Sequence, residues 1–370
     1  GADRPAKLAV SLGIVGLGVW TAPLFVETLL PNSDWDAALY HLPLAERYVD
    51  GTLWGRDPYF PAFSFPGAVS LQYAALLALD LEAAITPLNY QINGLLLLAT
   101  LAAGRRIGGR GAGLWAVAVF TTTPILWQLA VDARVDGFLC LGVMLGAYGL
   151  AGFLQEGKDV HLKLAAVALG AALGCKYTAL PFVAAIGAIG IGFRLWGSQG
   201  HRGLTRLLAT TVLLVAIPNA GWYVASVALH GDPVFPMLRG NYFENAEGER
   251  VHLERADTEE RVEYMQDPDT RRLLAKFEKA PRPDPPTHLF DFRSLLLDPD
   301  RYAVKPNHGL GPLVLLSLAL PLAFPRRVEN RRSALVLWGL GWGGFVLLGS
   351  QTNLLRYVAP VLPILAVTAG

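Results

Sequence analysis

Residues 112–158 read AGLWAVAVFTTTPILWQLAVDARVDGFLCLGVMLGAYGLAGFLQEGK, and the 43 positions from Ala112 to Leu154 hold three charges only, Asp132, Arg134 and Asp136. Each flanking run is close to the ~20 apolar residues a helix needs to cross a hydrocarbon core of about 30 Å. The short acidic-basic-acidic loop between them is then a turn at one membrane face. Arg105, Arg106 and Arg110 precede the pair, and Lys158 and Lys163 follow it. A membrane hairpin with basic residues at both feet and two acids at its tip is the unit from which the rest of the chain is read.

The composition agrees. Of 370 residues 53% are apolar and 16% charged, with a mean hydropathy of +0.38, whereas soluble domains carry about 25% charged residues. The charge is also segregated: residues 231–305 hold 28 of the 61 charged side chains. Ordinary soluble enzymes and disordered chains are excluded. So is a base-reading nucleic-acid binder, since the net charge is only +1 and supplies no field for polyanions. Cys140 and Cys175 both lie inside apolar runs, so no disulfide framework is implied.

Ten spans are expected: Leu8–Val26, Pro87–Ala103, Ala112–Ala130, Asp136–Leu154, Leu162–Cys175, Ala179–Phe193, Leu204–Leu229, Leu310–Phe324, Ala334–Leu348 and Leu354–Ala369. The first reads as a retained signal anchor, being too long for a cleaved h-region. Basic residues collect in cytoplasmic loops. With the N-terminus inside, Arg4 and Lys7, Arg105 to Arg110, Lys158 and Lys163, Arg194 to Arg206, and Arg326 to Arg332 all fall on that side. This requires Gly67–Asp80 to lie along the outer interface rather than cross. The expected fold is an all-α polytopic membrane protein with outer-face interfacial helices over 36–80. Its organisation is an N-terminal transmembrane module over 1–230 with a first outer loop at 31–66, a charged extracytoplasmic insertion at 231–305, and C-terminal transmembrane helices over 306–370. The acidic stretch Glu244–Asp269 reads as a solvated helical face. The last apolar run stops at Gly370 with no polar flank, as the end of a fragment would.

Ionisable residues at a membrane edge are costly and mark function by default. On this orientation the outer face gathers them. The first loop reads Asn32-Ser33-Asp34-Trp35-Asp36-Ala37-Ala38-Leu39-Tyr40-His41-Leu42-Pro43. If residues 36–49 are α-helical, Asp36, Tyr40 and Pro43 share a face. Asp34 fits a helix cap as well as it fits a catalytic acid. In the second loop, Asp132, Arg134 and Asp136 suit either a mutual salt bridge or a binding role. Lys176 sits between two very apolar runs. It either snorkels to the interface or seats a lipid phosphate, and Arg356 is a second such cation, with a fork that grips phosphate. The turn His230–Pro236 reads as structural. No P-loop, paired-cysteine zinc spacing or His-Glu-x-x-His occurs.

Four phrases, in order, resemble bacterial members of the GT-C glycosyltransferase superfamily, which includes protein O-mannosyltransferases and aminoarabinose transferases of lipid A. They are Trp35–Pro43, Gly174-Cys175-Lys176-Tyr177-Thr178, Gly231–Pro236 and Arg356–Pro363. The resemblance implies an enzyme of the bacterial inner membrane using a polyprenyl-phosphate-linked sugar, with its site facing outward. It places the general base on Asp36, completes an acidic pair with Asp34, and puts a second-loop acid at Asp132 or Asp136. Tyr40 and His41 join these as candidates for handling the acceptor. Lys176 and Arg356 become donor-phosphate ligands, and an oxygen-ligated divalent cation, Mg or Mn, is left open. Membrane lipids are the other expected partners. Two rival readings are a catalytically silent subunit of a larger membrane assembly and a lipid or solute transporter.

Overall fold

The computed structural model describes residues 18, 21–30, 34, 36–52, 64–196, 203–235, 242–244, 250–252, 330–349 and 359–369. They form a helical bundle. After a π-turn at Ala37–His41, the helices are α1 (Leu42–Val49), α2 (Ala68–Leu77), α3 (Ile85–Thr121), α4 (Pro124–Val131), α5 (Asp136–Glu156), α6 (Asp159–Cys175), α7 (Leu180–Trp196), α8 (Leu204–Ala216), α9 (Ala220–His230), α10 (Arg331–Gly349) and α11 (Leu362–Ala369).

The long run α3 is two antiparallel arms. Gly109 has φ +80° and Gly108 leaves the helical region. A Cβ placed on Gly113 would lie 3.0 Å from the Leu101 carbonyl, although twelve residues of straight helix would separate the two by about 18 Å. The arms are therefore the two expected spans Pro87–Ala103 and Ala112–Ala130, joined by a glycine turn, and a 68° bend before α4 completes the second. Among the described residues, α5, Tyr177–Trp196 and Leu204–His230 are each long and apolar enough to cross a membrane, with a fourth if the bent pair counts as one span. Expected spans Leu162–Cys175, Ala179–Phe193 and Ala334–Leu348 fall inside α6, α7 and α10. Leu310–Phe324, most of the charged insertion and Arg356 lie outside the described residues. Helix α2 has ten residues, about 15 Å, and is too short to cross.

Small residues set the packing. The most extensive contact is α5 against α6. Cβ atoms on Gly142 and Gly149 would lie 2.7 and 2.8 Å from the backbone oxygens of Ala168 and His161, so these helices touch main chain to main chain. Within a bilayer such close approach supplies the dispersion energy that apolar side chains alone do not. The opposite face of α6 repeats the device. Gly170 and Gly174 lie against the Leu214 carbonyl and the Asn219 side chain. Asn219 donates to the carbonyls of Gly170 (2.9 Å) and Val215 (2.7 Å), satisfying backbone at the break where Pro218 lacks an N–H.

One expectation is corrected. Residues 244 and 250–252, read as part of a helical face, belong to an antiparallel strand pair, β1 (Tyr242–Glu244) with β2 (Arg250–His252), in register Phe243↔Val251. Tyr, Phe and Val favour pleated backbone, and this local preference outweighs the acidic composition. Elsewhere among the described residues the fold is helical.

The bundle has two chemically distinct ends. At one, Arg106 pairs with Glu156 and bonds Gln155, Arg194 pairs with Asp159, and Arg332 stacks over Phe193. At the other lie Asp34, the π-turn, the α4–α5 loop, Lys176, Ser64 and His230. Each described helix that crosses the bundle runs from one end to the other, which is the alternation the basic clusters demand.

Candidate active site

The site is built from four pieces of chain brought together at the acidic end. The first is the turn 34–41. Asp34 Oδ2 accepts the Ala37 N–H at 3.1 Å, so the expected cap is present. The turn it starts is π rather than α: the Leu42 N–H bonds the carbonyl of Ala37, five residues back. Pro43 explains the widening, because its ring has no N–H for the Leu39 carbonyl and crowds it. Tyr40 and Pro43 were expected to share a face with Asp36. Instead, the wider turn brings residue i+5, His41, round toward Asp36. Asp36 is buried, 7% exposed, and His41 is 5% exposed.

The second piece is the α4–α5 loop. Arg134 reaches across 100 residues to pair with Asp34 through Nη2, while its Nε lies 3.7 Å from Asp132 Oδ2. At 1% exposure it is the largest fully buried side chain in the described residues. Burial works against its charge, and the hydrogen bond and field of Asp34, with Asp132 and Asp136, outweigh it, so its pKa sits above the ordinary value. The expected local salt bridge within 132–136 is therefore only partly formed. The loop is held by the third piece, the start of α3 with α2. Asn89 donates to the Asp132 and Arg134 carbonyls, and the Tyr73 hydroxyl donates to Asn89 Oδ1 (2.9 Å) and to the Arg134 carbonyl (3.1 Å).

The fourth piece is the tip of α6. Lys176 does not snorkel: its ammonium donates to Asp136 Oδ1 at 2.9 Å, with 12% of the side chain exposed. Tyr40 points into an aromatic row running through Phe65 and Tyr177 to Tyr223, with centroids 5.8 to 6.2 Å apart. Ser64 Oγ lies 3.0 Å from His230 Nε2, and His230 stacks on Phe235.

The structure thus gathers Asp34, Asp36, His41, Asp132, Asp136 and Lys176, and Arg356 lies outside the described residues. Sequence reasoning left Arg134, Asn89 and Tyr73 off the candidate set. The available signal was a lone arginine and a lone amide beside long apolar runs. Among the described residues no three His, Cys, Asp or Glu side chains converge as a metal requires. Two of the acids are committed to Arg134 and Lys176. The donor set does not fit the open divalent-cation expectation, and no chemistry below is routed through a metal.

His41 carries a pH consequence. Burial, then the positive field of Lys176, lowers its pKa to about 3, against the opposing fields of Asp136 and Asp34. The unfolded chain therefore binds a proton below about pH 6.5 that the folded chain refuses. Stability falls as pH drops through the window from 6.5 toward 3, by about 1.4 kcal/mol per unit. Thermal unfolding in detergent from pH 7.5 to 4.5 should show a steeper loss for the wild type than for His41→Leu. Parallel curves would refute the assignment.

Comparison with known proteins follows the geometry. Residues 71–222 match the family described as Dolichyl-phosphate-mannose-protein mannosyltransferase. That segment contains Asn89, Asp132, Arg134, Asp136 and Lys176 and starts after Asp34 and Asp36. No curated protein matches the sequence. The fold matches crystal structures of ArnT from Cupriavidus metallidurans. The structure bound to undecaprenyl phosphate aligns over 98% of this chain with 16% identity and a TM-score of 0.60. The apo structure aligns over 99% with 18% identity and a TM-score of 0.58. The chain spans about 60% of the length of the ArnT chain. The architecture is the GT-C fold of membrane glycosyltransferases.

Proposed function

We propose that this chain is a membrane glycosyltransferase that moves a sugar from a polyprenyl-phosphate-linked donor to a hydroxyl acceptor outside the cytoplasm. The observation that carries the reading is the meeting of the first-loop acids, the second-loop acids and Lys176 at one end of a bundle with the ArnT fold. Asp36 is the base: it takes the proton from the acceptor hydroxyl as that oxygen attacks the anomeric carbon. The bond from that carbon to the donor phosphate breaks, and its electron pair leaves on the phosphate oxygen. Lys176, exchanging Asp136 for phosphate, neutralises the departing group, with Arg356 as the second cation. Asp34 and Asp132, through Arg134, fix the loop on which Asp136 stands. An apolar groove of about 360 Å³ between α7 and α10 runs from Pro181 and Leu347 to Phe193 and Leu335. It starts five residues from Lys176 and suits the prenyl chain.

The test is sugar release from a panel of radiolabelled polyprenyl-phosphate sugars by the reconstituted protein. Release above empty liposomes is expected for at least one sugar. Binding without release would favour the silent-subunit reading, for which the engagement of Asp34 and Asp136 in ion pairs is the supporting observation. Absence of any binding would sink the proposal. The outward-facing placement has its own check, since a cysteine at Glu247 should label from outside intact cells.

A further inference from the structure

Two polar groups in the site are buried without a hydrogen-bond partner, His41 Nε2 and Arg134 Nη1. Neither adds stability in that state, since a buried donor or acceptor left unpaired loses its hydration and gains nothing in return. They are also not distant from one another: Arg134, Lys176, Asp34 and Asp136 are the charges that act on His41. The π-turn is what places His41 among them, at some cost in regular helix.

The charge of the surroundings decides what chemistry fits. Asp34, Asp36, Asp132 and Asp136 face Arg134 and Lys176, so four carboxylates stand against two cations and a further anion beside Arg134 is repelled. Lys176 is the more exposed cation, 12% against 1% for Arg134, and is the one a phosphate reaches at the edge. The inner corner calls for a neutral group that both accepts from a guanidinium N–H and donates to a neutral imidazole nitrogen. A hydroxyl does both.

We propose that His41 and Arg134 form a sugar-binding corner, in which Arg134 Nη1 donates to, and His41 Nε2 accepts from, hydroxyl groups of the donor sugar. The proposal rests on the glycosyl-transfer reading and adds a division of labour to it. Lys176 holds the phosphate that every donor shares, and the His41–Arg134 corner holds the part that differs between donors. His41 takes the tautomer protonated on Nδ1.

The test compares binding of bare undecaprenyl phosphate with binding of undecaprenyl phosphate linked to hexose, N-acetylhexosamine or aminopentose. The proteins are wild type, His41→Leu and Arg134→Lys, each in nanodiscs. The wild type should bind one sugar-loaded lipid more tightly than the bare lipid. His41→Leu should lose about tenfold on that lipid and stay within about twofold of wild type on the bare one. Its thermal midpoint at pH 7 should equal or exceed that of wild type, because an unpaired buried nitrogen has been removed. A merely structural histidine would lose both. Arg134→Lys keeps a cation against Asp34 and should show the same selective loss. Equal losses on bare and loaded lipids would overturn the corner, as would an intact sugar preference in His41→Leu, the result expected if water fills it. A wild type that binds the bare lipid as tightly as every loaded one overturns the corner alone. A wild type that binds no polyprenyl phosphate overturns the transferase reading as well.

Discussion

Asp36→Asn should lower the rate of sugar transfer by about a thousandfold, within the 10²–10⁴ range a positioned general base contributes. The substitution keeps the shape and removes the proton acceptor. Donor binding should persist, because Lys176 and its ion pair are untouched. Asp36 is singled out over its neighbours by what they already do. Asp34 has one oxygen on the Ala37 N–H and the other on Arg134, and Asp136 holds Lys176. Single-turnover release of labelled sugar, wild type beside variant, is the measurement. A variant within tenfold of wild type would move the base elsewhere, and Asp34→Asn would be the next protein to assay.

The second large effect is on stability. Arg134→Met removes the guanidinium that faces Asp34 where both side chains are 1% exposed. Removing one member of a buried ion pair costs about 3–5 kcal/mol, because the remaining charge stays desolvated. Arg134→Met should therefore express poorly and unfold at a much lower temperature, whereas the double change Arg134→Met with Asp34→Leu should recover most of the loss. Unfolding followed by tryptophan fluorescence in detergent decides it. If the single variant is as stable as wild type, the pair is not what joins the first outer loop to the second.

These two predictions mark what the sequence made legible. The helices were readable because an apolar run of fixed length has few fates in a bilayer, and Gly109 supplied the turn that separates two of them. The acids of the first loop were readable as candidates from their place at a membrane edge. The partner of Arg134 was not, since the nearest acids in sequence are Asp132 and Asp136 and the one it chooses lies 100 residues earlier. Nor was the face of the first-loop turn readable, because a period of 3.6 was assumed where Pro43 imposes a wider one. Sequence periodicity reports local geometry, and both misses are outcomes of contact between distant segments. The strand pair at Tyr242–His252 was missed for the opposite reason: local preference prevailed over a composition that suggested helix.

Helix α6 is gripped on two faces at backbone contact, by α5 and by the α8–α9 break, so no slack of main chain lies beneath Lys176 at its tip. Passing the ammonium from Asp136 to an arriving phosphate is then a rotation of a flexible four-carbon stem, a motion of picoseconds to nanoseconds. Tilting a packed helix would take microseconds to milliseconds. The pace of turnover at this end of the bundle is accordingly set by the arrival and departure of lipid, with the wall of the pocket standing still.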